Sequence, residues 1–175
     1  GQKMDGSIQV YYGNGRGKTT AALGLGIRAA GVGKQVIMVQ FLKKKHSDTL
    51  DFLKKLEPEL QIFRFEKAAC GYSDLSPKEK QEQMLNIKNA LGYSRKVLDT
   101  GQCDLLILDE IFGLVDYNII TIEELMDLIA VKKDSMDLIL TGRNLPDEVR
   151  EIADCVYSIQ REKEKTPEIL AQGNF

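Results

Sequence analysis

An α/β fold with a mostly parallel sheet sandwiched by helices is predicted by three features of the sequence. Apolar runs of strand length alternate with helical patterns along most of the chain, the order that gives right-handed crossovers and a parallel sheet. A glycine-rich loop, Gly13-Asn14-Gly15-Arg16-Gly17-Lys18-Thr19-Thr20, follows the first apolar run and opens the first helix. A later run, Leu105-Leu106-Ile107-Leu108, ends in two carboxylates, Asp109 and Glu110. Together they predict a P-loop nucleotide-binding domain of the RecA-like kind, spanning residues 1–175, with Gly1 to Ser7 a flexible tail and residues 160–175 a C-terminal tail.

The first strand is Ile8-Gln9-Val10-Tyr11-Tyr12. In the loop after it, alternating glycines let successive N–H groups turn toward one anion, and the helix beginning near Lys18 adds its own unsatisfied N–H groups. Lys18 can reach a terminal phosphate as a point charge, and the Thr19 hydroxyl suits a magnesium ion. Tyr12 occupies the place of the first glycine in G-x-x-x-x-G-K-[ST], so Gly15 is expected to supply the flexibility that Tyr12 lacks. The helix stops near Gly31-Val32-Gly33.

Val36-Ile37-Met38-Val39-Gln40-Phe41 reads as a buried parallel strand, with Lys43-Lys44-Lys45-His46 at its end. Those bases face either an anion beyond the sheet or solvent. A short helix over 49–56 and a strand over Leu60–Phe65 follow, then a long loop, 66–75, holding Gly71-Tyr72. Ser76-Pro77-Lys78-Glu79 starts a helix whose apolar stripe is Met84, Ile87, Leu91 and Leu98, ending near Thr100-Gly101. The run ending at Asp109-Glu110 has the form of a magnesium-contacting strand, and some ninety residues after a phosphate loop it completes one ATP–Mg2+ site. Thr121-Ile122-Glu123-Glu124 opens another helix, Asp137–Leu140 is a strand leading to Thr141-Gly142-Arg143-Asn144, and Pro146 to Ala153 is helical before a last strand at 156–159.

Composition narrows the chemistry. A net charge of −2 gives no bulk attraction to nucleic acid or to an acidic membrane, and the longest apolar runs are too short to span a bilayer. Cys70, Cys103 and Cys155 form no C-x-x-C pair, and the one histidine, His46, excludes a histidine metal cluster. The polar opening residues show no signal-peptide pattern, so a reducing, cytoplasmic setting is expected.

Several motifs taken together resemble the P-loop type ATP:corrinoid adenosyltransferases over nearly the whole chain. They are Tyr12 to Gly24, Arg28-Ala29-Ala30-Gly31 with Gly33-Lys34, Val39-Gln40-Phe41 with a lysine after it, Leu108-Asp109-Glu110, and Thr141-Gly142-Arg143 with Ala153-Asp154. The resemblance implies transfer of the 5′-deoxyadenosyl group of ATP to a Co(I) corrinoid, cobalamin or a precursor, with release of triphosphate. It assigns Gly13 to Thr20 and Arg28 to ATP, with Lys18 offsetting leaving-group charge. Thr19 and Glu110 would hold Mg2+, supported by Asp109, while Gly71, Tyr72 and Arg143 would face the corrinoid. It also implies a reversed nucleotide, a flavoprotein reductase as electron donor and a homodimer. The pattern departs from the family where Asp74 replaces a second aromatic, where tryptophan is missing throughout, and where only Gly1 to Ser7 precede the first strand. Two other readings are a P-loop ATPase or kinase cleaving the γ-phosphate, with Glu110 as base, and a non-catalytic nucleotide- or corrinoid-binding protein.

Overall fold

A computed structural model of the chain describes residues 5–44, 48–67 and 74–165. Among these, six parallel strands form one sheet: β1 (Ile8–Tyr12), β2 (Val36–Lys44), β3 (Leu60–Lys67), β4 (Leu105–Asp109), β5 (Asp137–Gly142) and β6 (Cys155–Ser158), in the order β3-β2-β4-β5-β1-β6. The helices are α1 (Lys18–Gly31), α2 (Asp48–Leu53), α3 (Pro77–Thr100), α4 (Ile111–Asp116), α5 (Ile122–Ala130) and α6 (Asp147–Ile152). None of the described helices is long and apolar enough to cross a membrane.

Alternation along each strand sorts its side chains onto two faces. Val10, Ile37, Val39, Leu106, Leu108, Leu138 and Leu140 join α3 to α6 in the larger core. Val36, Met38, Leu105, Ile107 and Ile139 point the other way, where Ala22 of α1 meets them. Every residue of β4 is buried, as a central parallel strand with both faces covered requires. Gly26 lets α1 lie close to the sheet: a Cβ there would stand 3.1 Å from Ile107 Cδ1 and 3.4 Å from Val36 Cγ1.

Most expected elements form where the sequence puts them. The full capping box appears at Thr121 and Glu124, while the Ser76 hydroxyl accepts from the Glu79 N–H at 3.1 Å. Strand β2 runs on to Lys44 through a register shift between Phe41 and Lys43, where Leu42 takes a φ of 57°. Helix α4 is an addition. Its six residues begin directly after the acidic pair and bury Ile111, Phe112, Gly113 and Leu114. Because the strands are parallel, the turns after β1, β4 and β5 gather at one end of the sheet, where ligands of such folds bind.

Candidate functional site

The loop is built differently from its sequence expectation. Gly13 and Gly17 carry the left-handed backbone, with φ values of 129° and 104°. Gly15 is needed for room instead of flexibility: a Cβ there would fall 2.9 Å from the Ile159 carbonyl oxygen and 2.9 Å from the Gln160 carbonyl carbon. Tyr12 stays in the sheet, paired with Gly142 on one side and Ser158 on the other. Its hydroxyl accepts from Arg150 at 3.2 Å, which lowers the phenol's proton affinity. Nor do all loop amides face an anion. The Gly15 N–H donates to the Ile159 carbonyl at 2.9 Å, and the Asn14 side-chain oxygen accepts from the Arg161 N–H at 3.2 Å. Ile159, expected to end the last strand, and Arg161, expected in the tail, therefore clamp the loop.

Lys18 is the first residue of α1, after Gly17, which offers no side chain to cap the helix. Its ammonium donates to the carbonyls of Gly13 at 2.7 Å and Gly15 at 3.0 Å. Next to it, the Thr19 hydroxyl lies 3.0 Å and 2.9 Å from the two carboxylate oxygens of Asp109. Asp109 is fully buried. Thr141, at the end of β5 between β1 and β4, donates to it at 2.7 Å and accepts the Glu110 N–H at 2.8 Å. The Gln40 amide donates to its other oxygen at 3.3 Å, and Arg64 Nε and Nη2 hold the Gln40 carbonyl oxygen at 3.1 Å and 3.0 Å. A hydrogen-bonded chain thus runs from β3 through β2 to the carboxylate on β4.

This geometry gives the two acids different surroundings. Asp109 is joined to Thr19, whereas Glu110, at a φ of 63°, turns its side chain into the adjoining cleft. A left-handed non-glycine residue costs of order 1–3 kcal/mol and is tolerated where the surroundings fix it. The bond from Glu110 N–H to Thr141 is one such restraint. The cleft, about 470 Å³, is lined by Asn14, Lys18, Glu110, Tyr117, Arg143 and Arg161 among others. Across it, Asn144 donates to Asp116 at 3.0 Å.

The donor set fits magnesium. Thr19 and Asp109 offer only hard oxygens, and such a site draws its remaining ligands from phosphates and water. Among the described residues no cluster of three or more His, Cys, Asp or Glu side chains could hold a metal by itself. Burial pushes the Cys103 thiol up to about 12, so it offers no thiolate at neutral pH.

The predicted residues divide cleanly. Gly13 to Thr20, Asp109, Glu110 and Arg143 converge on one end of the sheet. Arg28 does not: it is exposed in the last turn of α1, ten residues from Lys18 and so about 15 Å along the helix. Gly71 and Tyr72 lie outside the described residues, as do Lys45, His46, Cys70 and residues 166–175. Thr141 and Gln40, which the sequence places in motifs without a role, and Arg64 and Arg161, which it does not single out, join the site. A polar Gln40 inside an apolar run and Thr141 closing another were signals; Arg161 had none. Replacing Gln40 with leucine should leave Arg64 and Asp109 each short of a bond and cost about 1–3 kcal/mol. Urea unfolding measures this, and a wild-type midpoint would show that the chain of bonds contributes nothing.

Comparison with known proteins adds a family. Residues 4–172 match the family described as "ATP:corrinoid adenosyltransferase BtuR/CobO/CobP". The corrinoid adenosyltransferase of Escherichia coli strain K12 is 30% identical over 159 residues, covering 91% of this chain and 79% of that protein. Corrinoid adenosyltransferase CobA of Salmonella typhimurium gives the same identity and coverage. Among solved structures, a KaiC-like protein from Pyrococcus horikoshii superposes with a TM-score of 0.60 over 93% of this chain and 75% of its own. At 20% identity that likeness bears on the fold alone.

Proposed function

The chain belongs to the ATP:corrinoid adenosyltransferase family, and we propose that its loop and carboxylate site hold ATP and magnesium while the adenosyl group moves to cobalt. The enzyme transfers the 5′-deoxyadenosyl group of ATP to a Co(I) corrinoid and releases triphosphate. In that step the cobalt–carbon bond forms at C5′ as the C5′–O bond breaks, and the bonding pair leaves on the triphosphate. The observation that carries the site assignment is the convergence of Lys18, Thr19 and Asp109 at one end of the sheet.

Co(I) is itself the nucleophile, so the protein supplies no base or thiol and acts by orientation and electrostatics. Holding C5′ in line with cobalt can contribute about 7–11 kcal/mol. Lys18 gives up the Gly13 and Gly15 carbonyls to reach phosphate oxygens, exchanging neutral partners for charged ones. Thr19 and Asp109 would hold magnesium, with Glu110 nearby in the cleft; the ion would neutralise charge on the departing phosphates. Gln40 and Arg64 fix the Asp109 carboxylate. The left-handed Gly13 and Gly17, with Asn14, Gly15, Arg16 and Thr20 between and after them, would frame the triphosphate.

Arg143 lines the same cleft and is our candidate for the corrinoid side, with Gly71 and Tyr72 assigned on resemblance. We take residues 1–175 as one domain working in the cytoplasm, where Cys103 and Cys155 stay as thiols. A flavoprotein reductase as electron donor and a homodimeric assembly belong to the same reading. Tyr72→Ala is expected to weaken corrinoid binding while leaving ATP binding intact; unchanged corrinoid affinity and turnover would remove Tyr72 from the site. The deciding assay is anaerobic, with ATP, magnesium and chemically reduced cob(I)alamin. A light-sensitive cobalt–carbon product with triphosphate is expected, and ADP with phosphate would return the chain to the γ-cleaving ATPases.

A further inference from the structure

Arg161 lines the cleft from the segment that follows β6. Its backbone is fixed to the loop, since its N–H donates to the Asn14 side chain at 3.2 Å. Two residues earlier, Ile159 accepts the Gly15 N–H at 2.9 Å and receives a bond of its own, donating its N–H to the Tyr12 carbonyl at 2.7 Å. Arg161 is thus carried on the phosphate loop at a fixed register. Its guanidinium Nη1 rests 2.7 Å from Glu164 Oε2, in a pair whose side chains are 47% and 21% exposed.

We propose that Arg161 is a further ligand of the nucleotide's triphosphate, with Glu164 as its counter-ion until phosphate oxygens take that place. The inference rests on the reading that the loop holds the triphosphate. A transferase that expels the whole triphosphate must offset charge along all three phosphates, and Lys18 with one magnesium ion leaves part of that length to further cations. A planar guanidinium matches two phosphate oxygens at once. The competition favours the phosphate. The pair with Glu164 is a single, partly exposed contact that contributes no more than about fivefold to an equilibrium, while two charge-assisted bonds to phosphate oxygens together contribute about tenfold or more. The exchange needs no backbone movement, because the Asn14 and Ile159 contacts hold the segment either way.

The test is calorimetric binding of inorganic triphosphate, with magnesium and no corrinoid, to the full chain and its variants. Arg161→Ala is expected to weaken binding by about tenfold or more. Arg161→Gln, which keeps the stem of the side chain, should show the same loss. Glu164→Gln should tighten binding about two- to fivefold by releasing the guanidinium. In the Arg161→Ala background the Glu164 change should have no effect, since the acid acts only through the arginine. Lys18→Ala serves as the control for the loop. Loss of binding in Lys18→Ala, with wild-type binding in Arg161→Ala, would overturn the role of Arg161 and leave the loop reading intact. Wild-type binding in Lys18→Ala would overturn that reading itself. Weaker binding in Glu164→Gln would make Glu164 a scaffold for the segment and sink the counter-ion proposal.

Discussion

Lys18→Ala is expected to lower kcat for adenosyl transfer by at least about 100-fold, the scale of losing one preorganised group at a charge that develops in the transition state. The effect should fall on kcat more than on the corrinoid KM, because Lys18 acts on the leaving group. Stability should fall too, by about 1–2 kcal/mol in all, since the half-buried side chain loses two bonds to loop carbonyls. Single-turnover transfer to pre-reduced corrinoid, paired with thermal unfolding, separates the two effects. Transfer at the wild-type rate would remove the loop from the chemistry.

Asp109→Asn should have the second large effect, and it should exceed that of Glu110→Gln. Donors from Thr19, Thr141 and Gln40 meet the Asp109 carboxylate. An asparagine would set an NH2 group against one of them, so a bond becomes a donor–donor contact in a fully buried place. The expected loss of stability is about 1–3 kcal/mol. Independently, under the proposed magnesium role of Asp109, the magnesium concentration that half-saturates ATP binding should rise by about tenfold or more, because an ionised oxygen becomes neutral. Glu110→Gln leaves this network whole and should move the magnesium requirement less. If the two variants shifted magnesium equally, or Glu110→Gln more, the ion would belong with the cleft acid.

The layers of the fold were readable because parallel strands covered on both faces need unbroken apolar runs, and Val36–Phe41 and Leu105–Leu108 have them. The phosphate loop was readable for the same local reason, a strand, glycines and a helix in immediate succession. What stayed hidden depended on neighbours in space. Asp109 and Glu110 are equivalent in the sequence, and only the parallel register that sets β5 between β1 and β4 brings Thr141 onto the first of them. Arg64 aligns with Gln40 only through the pairing of β3 with β2. Arg28 shows the opposite effect: nearness along the chain to the loop becomes distance as the helix rises between them. Six-residue α4 carries too few turns to show a helical period, so it went unseen.

The clamp on the loop has a consequence for when the site comes into being. Gly13 and Gly15 lie in the first turn of the fold, yet their place is set by the carbonyl of Ile159 beyond the last strand. A chain emerging from the ribosome offers its Gly-Lys-Thr sequence early, and the surface that shapes it comes well over a hundred residues later. During synthesis the nascent chain therefore has a nucleotide motif without a nucleotide site. Under the proposed site, ATP helps to hold the completed molecule and gives no early support to the growing one.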